Sequence, residues 1–168
     1  MSKQIDVLFV HPNGSQIIYQ ELAKEHSAVE PPIWASLLSQ AIRNKGYKVE
    51  LLDCEAERLS YLQSLIEIDN YNAKLVCFVI YGQQPSASSQ NMEGVHRLLE
   101  GLYDPNFIED YPVKHKTLLV GLHPSALARE TLEKEKCDFV CQGEGLQTIL
   151  GLLKCSDMND HSQLEKVP

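Results

Sequence analysis

Short apolar runs alternate with longer amphipathic stretches along this chain, and that alternation predicts the fold. Ile5 to Val10 (IDVLFV), Leu75 to Ile80 (LVCFVI) and Leu118 to Val120 are apolar almost throughout. Runs of this kind suit strands covered on both faces of a parallel sheet. Val49 to Asp53 (VELLD) alternates imperfectly and reads as a strand near a sheet edge, and Asp138 to Cys141 supply a fifth. Helices fill the intervals. Pro31 and Pro32 open one that carries Ile33, Trp34, Leu37, Leu38, Ala41 and Ile42 on one face and stops at Gly46. Glu57 to Tyr71 follows, with Leu62, Leu65, Ile66 and Ile68 as its apolar positions. Further helices are expected over Ser88 to Leu102, over Ala126 to about Lys136 with Ser125 as cap, and over Gln147 to Lys154. Strand–helix alternation of this kind makes a doubly wound α/β fold: a five-stranded parallel sheet, Rossmann-like or flavodoxin-like, in the order 2-1-3-4-5.

Right-handed crossovers place every loop that follows a strand on one rim of such a sheet, where open α/β folds bind ligands. The first strand runs into His11, Pro12, Asn13, Gly14 and Ser15. The third runs into Tyr81, Gly82, Gln83, Gln84, Pro85 and Ser86, with Ser88 close behind. The fourth ends at Gly121 and is followed by a tight loop of Leu122, His123, Pro124 and Ser125; the fifth leads to Gly143, Glu144 and Gly145. His11 and His123 either touch a ligand or fix the local turns. Glu144 either caps a helix N-terminus, where the dipole favours a carboxylate, or accepts a hydrogen bond from a ligand. The other histidines, His26, His96, His115 and His161, are expected in solvent. Small residues along the rim (Gly82, Ser86, Ser88, Gly121, Ser125, Gly143, Gly145) would leave a slot between sheet and loops for a bulky ligand.

Charge narrows the classes. The 168 residues carry 23 acidic against 15 basic side chains, a formal charge of −8, and no basic run. That balance argues against nucleic acid as a partner. No stretch suits a membrane span, and the N-terminus enters a strand directly without a signal-peptide pattern, so a cytoplasmic protein is expected. Five scattered cysteines argue against a disulfide framework. Cys137 and Cys141 lie about 13 Å apart if extended at about 3.3 Å per residue, too far to share a metal, and no residue is assigned as a metal ligand. The G-x-G-x-x-G, G-x-x-x-x-G-K-[ST] and G-x-S-x-G motifs are absent. A phosphoacceptor site would need Asp and Lys where Tyr81 and Gln142 stand. A domain that holds a large cofactor fits better than one that performs covalent chemistry itself.

Several pieces, in order, resemble the N-terminal cobalamin (vitamin B12)-binding domain of cobalamin-dependent radical SAM proteins. They are Glu30-Pro31-Pro32 before a Trp/Leu-rich helix, Lys45-Gly46-Tyr47-Lys48-Val49 leading to Leu52-Asp53, Tyr81-Gly82, Val120-Gly121 with His123-Pro124, and Asp138-Phe139-Val140 before Gly143-Glu144-Gly145. The resemblance runs from about Ile5 to Lys154. It implies cobalamin as cofactor, lying on the rim with its nucleotide tail near Ser86, Ser88 and Gly121, while His123, Gly143 and Glu144 reach the tail or the ring's amides. The D-x-H-x-x-G motif that supplies a lower cobalt ligand in other cobalamin proteins is missing, so the tail is expected to be displaced from cobalt with no protein ligand. The C-x-x-x-C-x-x-C motif for an iron–sulfur cluster is missing too. The resemblance therefore implies that residues 1–155 form the non-catalytic, cofactor-holding part of an enzyme, a methyltransferase among the options. Residues 156–168 would be a linker toward a C-terminal radical SAM domain, and S-adenosylmethionine and the cluster would belong there. A cofactor-free interaction module of the same fold and a flavin-binding flavodoxin-like domain are the alternative readings.

Overall fold

The computed structural model describes residues 4–13, 29, 31–81, 85–104 and 115–168. In chain order the elements are β1 (Ile5–His11), α1 (Ile33–Arg43), β2 (Val49–Asp53), α2 (Tyr61–Asn70), β3 (Ala73–Ile80), α3 (Pro85–Leu102), β4 (Lys116–Gly121), α4 (Leu122–Ala126), α5 (Ala128–Lys134), β5 (Phe139–Val140), α6 (Leu146–Lys154) and α7 (His161–Leu164). The strands form one sheet in the order β2-β1-β3-β4-β5, and all neighbours are parallel, as the pattern predicts.

Side chains alternate across the sheet and build two cores. Leu8, Val10, Val76, Phe78, Ile80 and Leu119 face α2 and α3, which contribute Leu65, Ile68, Val95, Leu98, Leu99 and Leu102. Val7, Phe9, Leu75, Cys77, Val79, Leu118 and Val120 face α1 and α6, which contribute Ala35, Leu38, Ile42, Ile149 and Leu152. β1, β3 and β4 are thus covered on both sides, which is why their sequences are continuously apolar.

The helices turn other faces inward than their apolar residues suggest. In α1 the buried residues are Ala35, Leu38, Ser39 and Ile42, while Ile33, Trp34 and Leu37 are exposed. At about 100° per residue the apolar set covers roughly half the helix circumference, and the sheet takes only one edge of that arc. α2 starts at Tyr61 behind a Ser60 capping box, later than expected, and leaves Leu62 and Ile66 in solvent. α3 starts at Pro85, ahead of the expected Ser88, because proline is well suited to a first turn. The helix expected from Ala126 starts at Ala128 and ends at Lys134, and the expected loop of Leu122 to Ser125 lies instead in a separate short helix, Leu122–Ala126.

β5 has only two residues, so its ladder is short. The Asp138 side chain substitutes for the missing rungs. It accepts from Lys116 Nζ (2.7 Å), the Tyr103 hydroxyl (2.6 Å) and the Thr117 N–H (2.9 Å). Burial works to raise the Asp138 carboxyl's pKa, but the Lys116 ammonium and the Tyr103 hydroxyl outweigh it and hold the group below its ordinary value. His115, expected in solvent, is buried; its Nδ1–H donates to the Ala73 carbonyl (2.7 Å), and Nε2 lies 3.5 Å from Asp69 Oδ1. Residues 156–168, read as a polar linker, lie against α6. Met158, Leu164 and Val167 join the second core, and the Thr148 hydroxyl donates to the Pro168 carbonyl (2.9 Å). Among the described residues no helix is long and apolar enough to cross a membrane.

Candidate functional site

The carboxyl ends of β1, β3, β4 and β5 share one rim because all four strands run parallel. His11 belongs to β1 itself, paired with Asp53, and its carbonyl accepts the Cys54 N–H (3.0 Å). Asn13 Nδ2 donates to the Leu59 carbonyl (3.3 Å), so its amide ties the β1 end to the segment before α2. Gly14, Gly82 and the side chain of Ser86 lie outside the described residues.

At the seam of β3 and β4 two of the expected small residues, Ser88 and Gly121, are taken up by the protein's own contacts. Ser88 is fully buried. Its hydroxyl donates to the Ile80 carbonyl and accepts the His123 N–H (3.0 Å). That oxygen is engaged on both sides and is covered, so it does not line a slot. Gly121 pairs with Ile80, and a Cβ on it would stand 2.1 Å from the Ile80 carbonyl oxygen. The sheet itself therefore accounts for this glycine. His123 is half-buried, and its Nδ1 is 2.8 Å from Ser89 Oγ; Pro124 beside it is buried.

The β5 end is more open. Gly143 takes φ +104°, and a side chain there would meet nothing within 4 Å. Its N–H donates to Ser125 Oγ (2.8 Å), so Ser125 holds this loop instead of capping a helix. Gly145 combines φ +86° with a close approach to Val120, 2.7 Å from where its Cβ would be. Glu144 between them is exposed, and α6 has no side-chain cap; Gly145 occupies the capping position. Of these three rim glycines, only Gly143 keeps open space above it.

An aromatic pair completes the rim. Tyr81, which follows β3, stacks on Trp34 of α1 with ring centroids 4.9 Å apart and planes at 23°. Burial, with smaller contributions from the charges of Cys141 and Glu144, pushes the Tyr81 hydroxyl's pKa up. Sequence reasoning turned Trp34 inward and so missed it. The available signal was its place in the first turn of a helix that starts at the rim. No cluster of three or more His, Cys, Asp or Glu side chains suited to a metal ion occurs among the described residues.

Comparison with protein families matches residues 22–153 to the B12 binding domain. The chain belongs to the B12-binding domain family. Among solved structures this B12-binding domain is similar to radical S-adenosylmethionine methyltransferase TsrM from Kitasatospora setae, determined with its tryptophan substrate and the SAM analogue aza-SAM. The TM-score is 0.60 at 17% identity, over 88% of this chain and 24% of that one. At that identity the likeness is one of fold, and this chain spans only a quarter of that enzyme's length. Comparison with curated proteins finds no match. At this rim Trp34 and Leu122 are exposed and Gly143 has open space above it.

Proposed function

We propose that this domain carries cobalamin for a radical SAM enzyme, a methyltransferase being the reading that the structural likeness favours. The family match over residues 22–153 is the observation that carries it. Bound cobalamin supplies cobalt-centred methyl, electron or proton chemistry. This chain's part is to bind and orient it, through the backbone at Gly143, the Ser125-braced loop around Glu144, and the Tyr81 and His123 side chains. The catalytic partner is a radical SAM domain, where S-adenosylmethionine and an iron–sulfur cluster belong. The sequence lacks D-x-H-x-x-G. We therefore assign the cofactor a displaced tail and no protein lower ligand. Five unpaired cysteines fit a reducing, cytoplasmic setting.

The experiment is to mix the purified chain with hydroxocobalamin, desalt, and measure corrin absorbance. Retained absorbance is expected, and a folded sample that retains none overturns binding by this chain. Reduction to cob(II)alamin followed by electron paramagnetic resonance tests the ligand. No axial nitrogen splitting is expected; a resolved splitting overturns the displaced tail with no protein ligand.

A further inference from the structure

The first two turns of α1 carry an apolar patch left exposed among the described residues. Ile33 is 60% exposed, Trp34 44% and Leu37 57%, although Ala35 and Leu38 beside them are buried. The patch has a boundary. Beyond Leu37 the outward face becomes polar, where Gln40, Arg43 and Asn44 bond one another, Gln40 Nε2 to Asn44 Oδ1 at 2.8 Å and Arg43 to Gln40 Oε1 at 3.2 Å. The unsatisfied apolar surface is thus confined to the end of α1 that meets the rim.

Its orientation is also fixed. Stacking on Tyr81 holds the Trp34 ring in one place while nearly half of it stays in solvent. An indole already held in place loses little further freedom when something packs on it. Tyr81 directly follows the central strand β3, so the aromatic pair stands at the same rim that the β5 loop reaches, where Gly143 leaves open space. Leu62 and Ile66, exposed on α2, have no stacked aromatic partner among the described residues.

The geometry points to a further cofactor-binding residue: Trp34, braced by Tyr81, forms an apolar wall against which the edge of the corrin packs. The inference rests on the proposed function above. A corrin's edge bears methyl groups interspersed with amides, and Trp and Tyr offer broad apolar faces with a polar handle for such a surface. Ile33 and Leu37 would extend the wall on either side.

Titration with hydroxocobalamin, read by corrin absorbance retained after desalting, compares wild type with Trp34→Ala, Trp34→Phe and, as a control far from α1, Leu62→Ala. Thermal melting checks that each variant folds. Trp34→Ala should weaken binding about 10-fold or more, the scale at which a buried aromatic anchor acts. Trp34→Phe should restore most of the affinity, and Leu62→Ala should leave it unchanged. Wild type that retains corrin together with a Trp34→Ala variant that binds equally well overturns the wall. A folded wild type that retains none overturns the cobalamin reading and the wall with it. A second readout needs no variant: hydroxyl-radical footprinting with peptide-level mass spectrometry resolves oxidation at Trp34, the chain's single tryptophan. Its oxidation should fall when cobalamin is bound, and unchanged oxidation in a loaded sample overturns the inference.

Discussion

Gly121→Ala isolates the reason for a glycine at the centre of the rim. The backbone there takes φ 159° and ψ −179°, a conformation that L residues rarely adopt, so an alanine is strained at Gly121 as it is at Gly143. Contact is what sets Gly121 apart. The added methyl would lie 2.1 Å from the Ile80 carbonyl oxygen and 2.6 Å from its carbon. Relief requires β3 and β4 to part where Ile80 pairs with Gly121. That movement also disturbs the Ser88 hydroxyl, which links the Ile80 carbonyl to the His123 N–H. Two buried hydrogen bonds at about 1 kcal/mol each, with about 1–2 kcal/mol of overpacking, give a loss of about 3–4 kcal/mol from contact alone. For a chain of this size that lowers Tm by roughly 6–16 °C, at about 2–4 °C per kcal/mol. Gly143→Ala is the matched comparison. It meets no atom but must hold φ +104°, which costs about 1–2 kcal/mol. Urea denaturation followed by circular dichroism measures both. If Gly121→Ala destabilises no more than Gly143→Ala, the close-contact argument is wrong.

Ser88→Ala leaves the Ile80 carbonyl and the His123 N–H without their buried partner and should cost about 1–3 kcal/mol in the same assay; a neutral result would mean that water replaces the hydroxyl. Asp138→Asn tests a pH dependence. The Asp138 carboxyl is held below its ordinary value in the folded chain, against burial, by Lys116 and Tyr103. Its ionised form therefore adds stability above the unfolded pKa, about 3.9, and that stability is lost as pH falls through the lower folded value. The gap between wild type and variant should be largest at neutral pH and shrink in acid, and a gap that stays constant would contradict the assignment. Alkylation of the native protein near neutral pH should spare Cys77, whose thiol burial raises, and Cys54, which burial pushes up to about 11. Mass spectrometry that finds either labelled as readily as half-exposed Cys155 would show that the cores open.

The strands and the rim of strand-end loops were legible because both are recorded locally. A strand covered on two faces must be apolar at successive positions, as in Leu75–Ile80, and no distant residue is needed to recognise it. Loops after parallel strands must share a rim, so the region of the site was also within reach. Roles within that region were not. Ser125 was expected to cap a helix, but it bonds Gly143, 18 positions away. Trp34 meets Tyr81 across 47 positions, and only the packed helix decides which edge of α1's apolar arc turns outward. His115 offered no sign of burial beforehand, since its partner is a backbone carbonyl on a neighbouring strand.

By itself, the order of apolar and polar residues determined a five-stranded parallel sheet, its strand order and the rim at which a ligand would lie. Those features follow from nearest-neighbour geometry and the handedness of crossovers, which every such chain obeys. Tertiary structure decided which small residues leave room and which are small because another strand presses on them. Gly121 and Gly145 are pressed by β3 and β4, whereas Gly143 faces open space. That distinction depends on distances between segments far apart in the chain.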